Sequence, residues 1–325
     1  MQSNQKPHLI IQIPCLNEEL TLPATIADLP QEVEGFECVE WLVIDDGSSD
    51  RTVEVARELG VHHIVSHQHN RGLAAAYMTG LDTALRLGAD VIVNTDADNQ
   101  YDASGIPDLV CPILEGQADM VVGERPIEQI EEFSRVKKIL QRLGSKVVRT
   151  FSGTEVRDAA SGFRAVSRST AIRLRVFGRY TYTMETLVQA GWESLGVKSV
   201  PVGVNPKTRE SRLVKSVPRY VFRSATTIVR TFALYKPFRF FLLLGSPFFL
   251  LGLSLVARWS AYYLFSDTYS SRLPSLFIGL GAILLAMQLW VVAFVADLIA
   301  ANRRLISDQL NAQREKDLEK SKRSR

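Results

Sequence analysis

Two carboxylates two residues apart, Asp96 and Asp98, follow the apolar run Val91-Ile92-Val93-Asn94-Thr95. Just past a buried strand both can face one hard cation, and Gln100 can add a carbonyl oxygen. Mg²⁺ or Mn²⁺ would fit, and there it would act as a Lewis acid on a leaving diphosphate. Alone the pair says little, because Asp-rich turns after strands are common. Other polar groups occupy equivalent places along the chain. Pro14-Cys15-Leu16-Asn17-Glu18 follows Leu9–Ile13, and Asp45-Asp46-Gly47-Ser48 follows Glu40–Ile44. Carboxylates there suit base N–H groups and ribose hydroxyls. Asn70-Arg71-Gly72 opens a helical stretch, where backbone N–H groups and an arginine favour phosphate oxygens. Asn17, Glu18 and Asp50 also have a plainer reading as helix caps.

The elements that must position these groups are legible as alternating runs. Strands are predicted at 9–13, 40–44, 63–65, 91–95 and 120–123, with helices at roughly 18–29, 50–60, 72–87 and 104–116. Strands separated by single helices require parallel crossovers, so this half is an α/β layered domain with ligands at the carboxyl ends of its strands. Residues 132–151 read as a basic helix, and a further α/β stretch runs to about Pro206. Residues 211–235 mix Arg and Lys with apolar residues at helical spacing, as an interfacial helix does. Phe240–Ala257 and Leu276–Ala296 are uncharged apolar runs, each long enough to span a bilayer. Lys236, Arg239, Arg303 and Arg304 lie on one side of both runs, which puts the N- and C-termini and the α/β half in the cytosol. The predicted organisation is therefore an α/β domain at 1–207, an amphipathic juxtamembrane segment at 208–237, two transmembrane helices within 238–300 (240–260 and 276–297), and a charged cytosolic tail at 301–325, a frayed helix or disordered.

Composition narrows the partners. The net charge is +3 over 325 residues, with the excess gathered around and after the apolar runs. That distribution suits a membrane surface and not nucleic acid. Cys15, Cys38 and Cys111 form no CxxC pair, so neither a disulfide framework nor a zinc site is expected, and all three read as small core residues. His62, His63, His67 and His69 are close in sequence, yet a strand through 63–65 scatters them, and solvated or capping roles are expected.

The ordered set PxxNE, DDGS, NxG and DADxQ, each with its own strand, resembles the glycosyltransferases of family 2. Within them it is similar to the dolichyl-phosphate mannose synthase and bacterial polyprenyl-phosphate glycosyltransferase subgroup. The resemblance implies a GT-A fold, a nucleotide-sugar-binding Rossmann-like mixed sheet, followed by amphipathic interfacial helices and two transmembrane helices. It further implies that Pro14, Asn17, Glu18, Asp45, Asp46, Arg71, Gly72 and Asp96 hold the nucleotide sugar, and that Asp96, Asp98 and Gln100 hold the metal. Asp98, Arg125 and Arg209 would be catalytic. Arg125, Arg142, Ser145, Arg209 and Arg212 would grip the acceptor phosphate, and Asp158, Gly162 and Arg164, in a DxxSGFR element, would shape the acceptor side. The implied reaction is inverting transfer of a hexose to a polyprenyl or dolichyl phosphate. An ionised phosphate needs no general base. GDP-mannose, UDP-glucose and UDP-N-acetylglucosamine all stay open as donors, and so does a homo-oligomer. Two other readings also stand: a family 2 transferase acting on a hydroxyl of a glycan or lipid, and a non-catalytic nucleotide-sugar-binding membrane protein. The QxxRW element of processive polysaccharide synthases does not occur in the chain.

Overall fold

The computed structural model describes residues 6–126, 144–145, 148–149, 153–176, 182–206, 226, 229–230, 232–265 and 273–323. The chain divides into two compact units, Met1–Ile228 with Leu310–Arg325, and Val229–Gln309.

The first unit is built on a seven-stranded sheet. Its strands are β1 (His8–Cys15), β2 (Cys38–Asp45), β3 (His63–Ser66), β4 (Val91–Asn94), β5 (Met120–Glu124), β6 (Arg164–Ser167) and β7 (Val197–Pro201), in the order β3-β2-β1-β4-β6-β5-β7. Runs such as Val91-Ile92-Val93 are β-branched and bury both faces, as central parallel strands must. The helices are α1 (Leu22–Asp28), α2 (Thr52–Glu58), α3 (Leu73–Leu87), α4 (Ile106–Leu114), α5 (Arg168–Arg173) and α6 (Thr183–Trp192). One face of the sheet (Leu9, Ile11, Ile13, Val43, Val91, Val93) packs with Leu22, Ile26, Ala56, Ile106 and Leu109. On the other face α3 lies so close that a Cβ on Gly80 would stand 2.8 Å from Ile44 Cδ1.

The sheet is mixed, as the resemblance implies: β6 runs antiparallel between β4 and β5, with Asn94 opposite Arg164 and Val122 opposite the same residue. Two expectations are corrected. Strand β1 does not end at Ile13 but continues through Pro14 to Cys15, opposite Asp45. Cys15 is buried, but Cys38 and Cys111 are exposed, so only one cysteine is a core residue.

The second unit holds α7 (Pro237–Phe265) and α8 (Leu273–Arg323) as far as Gln309. Both helices are long and apolar enough to cross a membrane, each containing an 18-residue stretch of mean hydropathy 2.2 (α7) or 2.3 (α8). Alpha-7, at 29 residues, reaches about 43 Å at a rise of about 1.5 Å per residue. They touch through small residues: a Cβ on Gly252 would fall 2.6 Å from Gly279 O, and one on Gly245 2.7 Å from Trp290 Nε1. Helix α8 runs through the tail to Arg323, and from Leu310 onward it belongs to the first unit. Most of the predicted basic helix at 132–151 and of the interfacial helix at 211–235 lies outside the described residues.

Candidate active site

The carboxyl ends of β1, β2 and β4 lie on one edge of the sheet, and antiparallel β6 brings its start to the same edge. That reversal is why the DxxSGFR element, which ends on β6, meets the Asp96–Asp98 turn that leaves β4.

Asp96 is the most perturbed acid here. Burial first, then the Asp98 charge, pushes its pKa up to about 7, against the opposing pull of Arg125 and Arg164. Asp98 Oδ1 accepts the Gln100 N–H at 3.3 Å, and Ala97 O accepts the Thr25 hydroxyl at 3.0 Å, which fixes the turn. Two oxygen-rich side chains under mutual repulsion fit a divalent cation, which would remove the penalty that now favours a proton. Gln100 can offer its side-chain carbonyl, whereas its backbone carbonyl accepts the Asn205 N–H at 2.9 Å. Among the described residues no group of three or more His, Cys, Asp or Glu is arranged to hold a metal. A cation at this edge would therefore rest on the Asp pair and on oxygens of water and ligand, as Mg²⁺ commonly does.

Beneath Asp96 runs a buried polar chain that the sequence reading missed. Gln12 Nε2 donates to Asn94 Oδ1 at 2.9 Å, and Asn94 Nδ2 donates to Gly162 O at 2.9 Å and to Tyr182 Oη at 2.8 Å. Tyr182 stacks on Tyr77 with ring centroids 3.8 Å apart. Tyr101 Oη accepts the Gly162 N–H at 2.9 Å. Glycine fits closely at 162, where a Cβ would stand 3.0 Å from both Asp96 Oδ1 and Tyr182 Oη and would press on each. The signal was in the sequence: Gln12 and Asn94 interrupt otherwise apolar strand runs, and a buried amide needs partners.

The loops after β1, β2 and β3 are laced together. Asn17, at a positive φ of 55°, donates its N–H to Ser48 Oγ at 2.9 Å, and its Oδ1 accepts the Ser49 N–H at 2.8 Å. Glu18 is buried, its N–H held by Thr52 Oγ1 and its Oε2 by the Thr21 hydroxyl. Asp46 departs from expectation. Its Oδ1 accepts from Arg71 N–H at 2.9 Å and pairs with His67 Nδ1 at 2.7 Å, while Oδ2 accepts from Gly72 N–H at 2.8 Å. The amides at 71 and 72, expected to face phosphate, are thus engaged by a carboxylate of this chain. Asp46 braces the 67–72 loop, and Gly47 lets that loop approach: a Cβ there would stand 2.7 Å from His69 C. Asp45 has a lighter load, accepting the Ser48 N–H at 2.9 Å. The histidines scatter as expected, but His67 is a buried bridge between Asp46 and Thr79, neither solvated nor a cap.

On the β5–β6 side, Arg125 Nε and Nη2 donate to the fully buried Asp158 carboxylate at 2.7 and 3.1 Å, leaving Nη1 outside the pair. The guanidinium carbon lies 5.7 Å from the Tyr101 ring centroid. Arg164 is buried and holds Ser161 O, Thr183 O, Ala159 O and Thr186 Oγ1. Ser145, expected on the acceptor phosphate, is instead buried, and its Oγ accepts the Ala159 N–H at 3.2 Å. It pins the same loop. Arg142, Arg209 and Arg212 lie outside the described residues.

Comparison with known proteins identifies the family and the fold. The chain is 30% identical over 215 residues to the UDP-N-acetylglucosamine–dolichyl-phosphate N-acetylglucosaminyltransferase of Methanococcus voltae, covering 58% of this chain and 82% of that one. It is 29% identical over 206 residues to the undecaprenyl-phosphate mannosyltransferase of Micrococcus luteus, covering 61% of this chain and 83% of the other. Glucosyl-3-phosphoglycerate synthase from Mycobacterium tuberculosis, solved with Mn²⁺, UDP and glucosyl-3-phosphoglycerate, shares the fold, with a TM-score of 0.55 at 20% identity over 70% of this chain and 79% of that one. The sheet is accordingly GT-A-like. Residues 10–175, just over half of the chain, match glycosyl transferase family 2, and the chain belongs to that family.

Proposed function

We propose that the chain is an inverting, metal-dependent hexosyltransferase that moves a sugar from a nucleotide sugar, of the GDP-mannose or UDP-glucose type, to a polyprenyl or dolichyl phosphate at the cytosolic membrane face. The observation that carries this reading is the meeting of Asp96 and Asp98 with Arg125 at one sheet edge, in a chain that also has two membrane-length apolar helices.

Asp96 and Asp98, with Gln100, hold Mg²⁺ or Mn²⁺, whose chemistry would be to neutralise the departing nucleoside diphosphate. Asp45 accepts from the base or the ribose. Asn17, Glu18 and Asp46 keep the loops around it in place. Arg125, fixed in charge and direction by Asp158, presents Nη1 to an acceptor phosphate oxygen. Such an oxygen is already ionised near neutral pH, so the site needs no carboxylate base. Arg142, Arg209 and Arg212 add positive charge toward the several phosphoryl groups that this reaction brings together. A lipid phosphate cannot leave the bilayer, so α7 and α8 would anchor the chain in the membrane that holds the substrate.

The test is transfer by the full chain in detergent, with polyprenyl phosphate, Mn²⁺ or Mg²⁺ and a panel of radiolabelled nucleotide sugars. Metal-dependent label in the organic phase from one donor supports the reading and names the sugar. Tight nucleotide-sugar binding without lipid label would replace it with a hydroxyl acceptor or a non-catalytic binder.

A further inference from the structure

A cavity of about 900 Å³ lies between the 69–71 loop that follows β3, α3, the residues just after α5 and the last turns of α8. All of it belongs to the first unit. Along α3 it is lined by Ala75, Met78, Asp82 and Thr83, on the side turned from the buried Tyr77, Leu81 and Ala84.

The charges around this cavity do not balance. Arg71, Arg175 and Arg314 line it against one carboxylate, Asp82. That carboxylate is already shared, with Arg314 Nη2 on Oδ1 at 2.7 Å and Arg86 Nε on Oδ2 at 3.0 Å. Arg314 also donates to Ile172 O at 3.1 Å, capping the end of α5. Among the described residues Arg175 makes no such carboxylate pair. Half-buried, it makes long bonds to neutral oxygens: Ile172 O at 3.3 Å, Leu174 O at 3.4 Å and Asn311 Oδ1 at 3.3 Å. Burial and then the neighbouring Arg314 charge lower its pKa, against the opposing pull of the Asp82 and Glu193 carboxylates. A guanidinium is suited to short, bidentate bonds with an oxyanion, and here that capacity is directed at a cavity with an apolar wall.

We propose that this cavity binds a phosphate-bearing ligand, a phosphomonoester or diphosphate with an apolar portion, at a site separate from the Asp96–Asp98 pair. Arg175 takes the phosphate with Arg314 beside it, and Ala75 and Met78 pack against the remainder. A soluble metabolite and an anionic lipid headgroup share this chemistry. The two residues proposed to take the phosphate, Arg175 and Arg314, are none of those assigned to metal, acceptor or nucleotide sugar, while Arg71 of the nucleotide-sugar set also lines the cavity.

The experiment titrates inorganic pyrophosphate into the full chain in detergent with a chelator present, by calorimetry. Wild type and Asp98→Ala should bind alike. Arg175→Gln should weaken binding about tenfold or more, the loss of one charge-assisted contact. Thr83→Glu, which adds a negative charge on the exposed side of α3, should weaken it comparably and keeps the test valid if the Arg175 variant fails to fold. Repeating the titration in nanodiscs identifies the source. Loss of pyrophosphate binding in phosphatidylglycerol discs but not in phosphatidylcholine discs assigns the site to a lipid headgroup, and equal binding in both assigns it to a soluble ligand. Absence of pyrophosphate binding, or equal affinity in wild type, Arg175→Gln and Thr83→Glu, overturns the proposal.

Discussion

Gly162 and Asp96 are in such close apposition that a Cβ at 162 would stand 3.0 Å from Oδ1 and 3.1 Å from Oδ2 of the carboxylate. The contact is made by backbone, and that backbone is pinned on both sides, its N–H on Tyr101 and its carbonyl on Asn94. Gly162→Ala must therefore move the carboxylate. The expected outcome is a loss of Mn²⁺ affinity of about 10–100-fold, the usual effect of disturbing a group that orients a metal ligand. Calorimetric titration of Mn²⁺ checks it, with circular dichroism to verify that the fold persists. An unchanged affinity would show that Asp96 does not bind the metal.

The pKa of Asp96 gives a pH dependence with a definite sign. Burial and then Asp98 raise it from 3.8 to about 7, so between these values the native metal-free protein holds a proton that the unfolded chain has lost. This contribution to stability is complete below the lower value and is lost as pH rises through the upper one. A divalent cation takes the place of the proton. Mn²⁺ should thus raise Tm more at about pH 8 than at about pH 5.5. Asp98→Ala removes both a ligand and the repulsion, so it should flatten the difference and abolish metal-dependent transfer. A Tm gain equal at both pH values, or one that survives in Asp98→Ala, would remove the cation from this pair.

The strand-end groups were readable because each follows an apolar run, and chemistry in an open α/β sheet collects there. Less readable was which carboxylate is free. Asp45 and Asp46 are adjacent and identical in type, and only the fold reveals that His67, Arg71 and Gly72 converge on Asp46. The antiparallel β6 was also hidden, since a four-residue strand carries no mark of direction. Tyr182 lies 88 residues from its partner Asn94, a pairing that local pattern cannot supply. Ser145, which the resemblance alone put on the acceptor phosphate, is buried, and its Oγ accepts the Ala159 N–H, a contact that no local pattern announces.

Arg125 and Asp158 make a pair whose removal should be costly. Their side chains are 14% and 0% exposed, so deleting one charge strands the other in a poorly solvated place. Asp158→Asn should destabilise by about 3–5 kcal/mol, as broken buried pairs do. The Arg51–Glu58 pair, with side chains 68% and 64% exposed, is the control, and Glu58→Gln should cost less than about 1 kcal/mol. Urea unfolding of the two variants measures the contrast, and comparable losses would contradict the buried-pair account. Arg125→Lys keeps the charge but not the fork. It should raise KM for polyprenyl phosphate while leaving nucleotide-sugar binding near wild type, and an unaltered KM would take the acceptor phosphate away from Arg125.

Within the second unit the helix pair depends on residues without side chains. A Cβ on Gly252 would meet Gly279 O at 2.6 Å and Ile283 Cγ1 at 2.7 Å, and Trp290 Nε1 donates to Leu242 O at 3.4 Å one contact further along. In lipid no hydrophobic force draws two apolar helices together, so close backbone approach and such hydrogen bonds supply the association. Gly252→Leu should separate α7 from α8 near this point. The cost expected from overpacking is about 1–3 kcal/mol, visible as a lower midpoint for thermal denaturation in detergent. Gly281→Leu is the matched control, because nothing lies within 4 Å of a Cβ at that position and the added side chain meets open space. The two variants add the same group to the same pair of helices, so only the packing differs. If Gly281→Leu lowers the midpoint as much as Gly252→Leu, the α7–α8 contact through Gly252 is not what holds the pair.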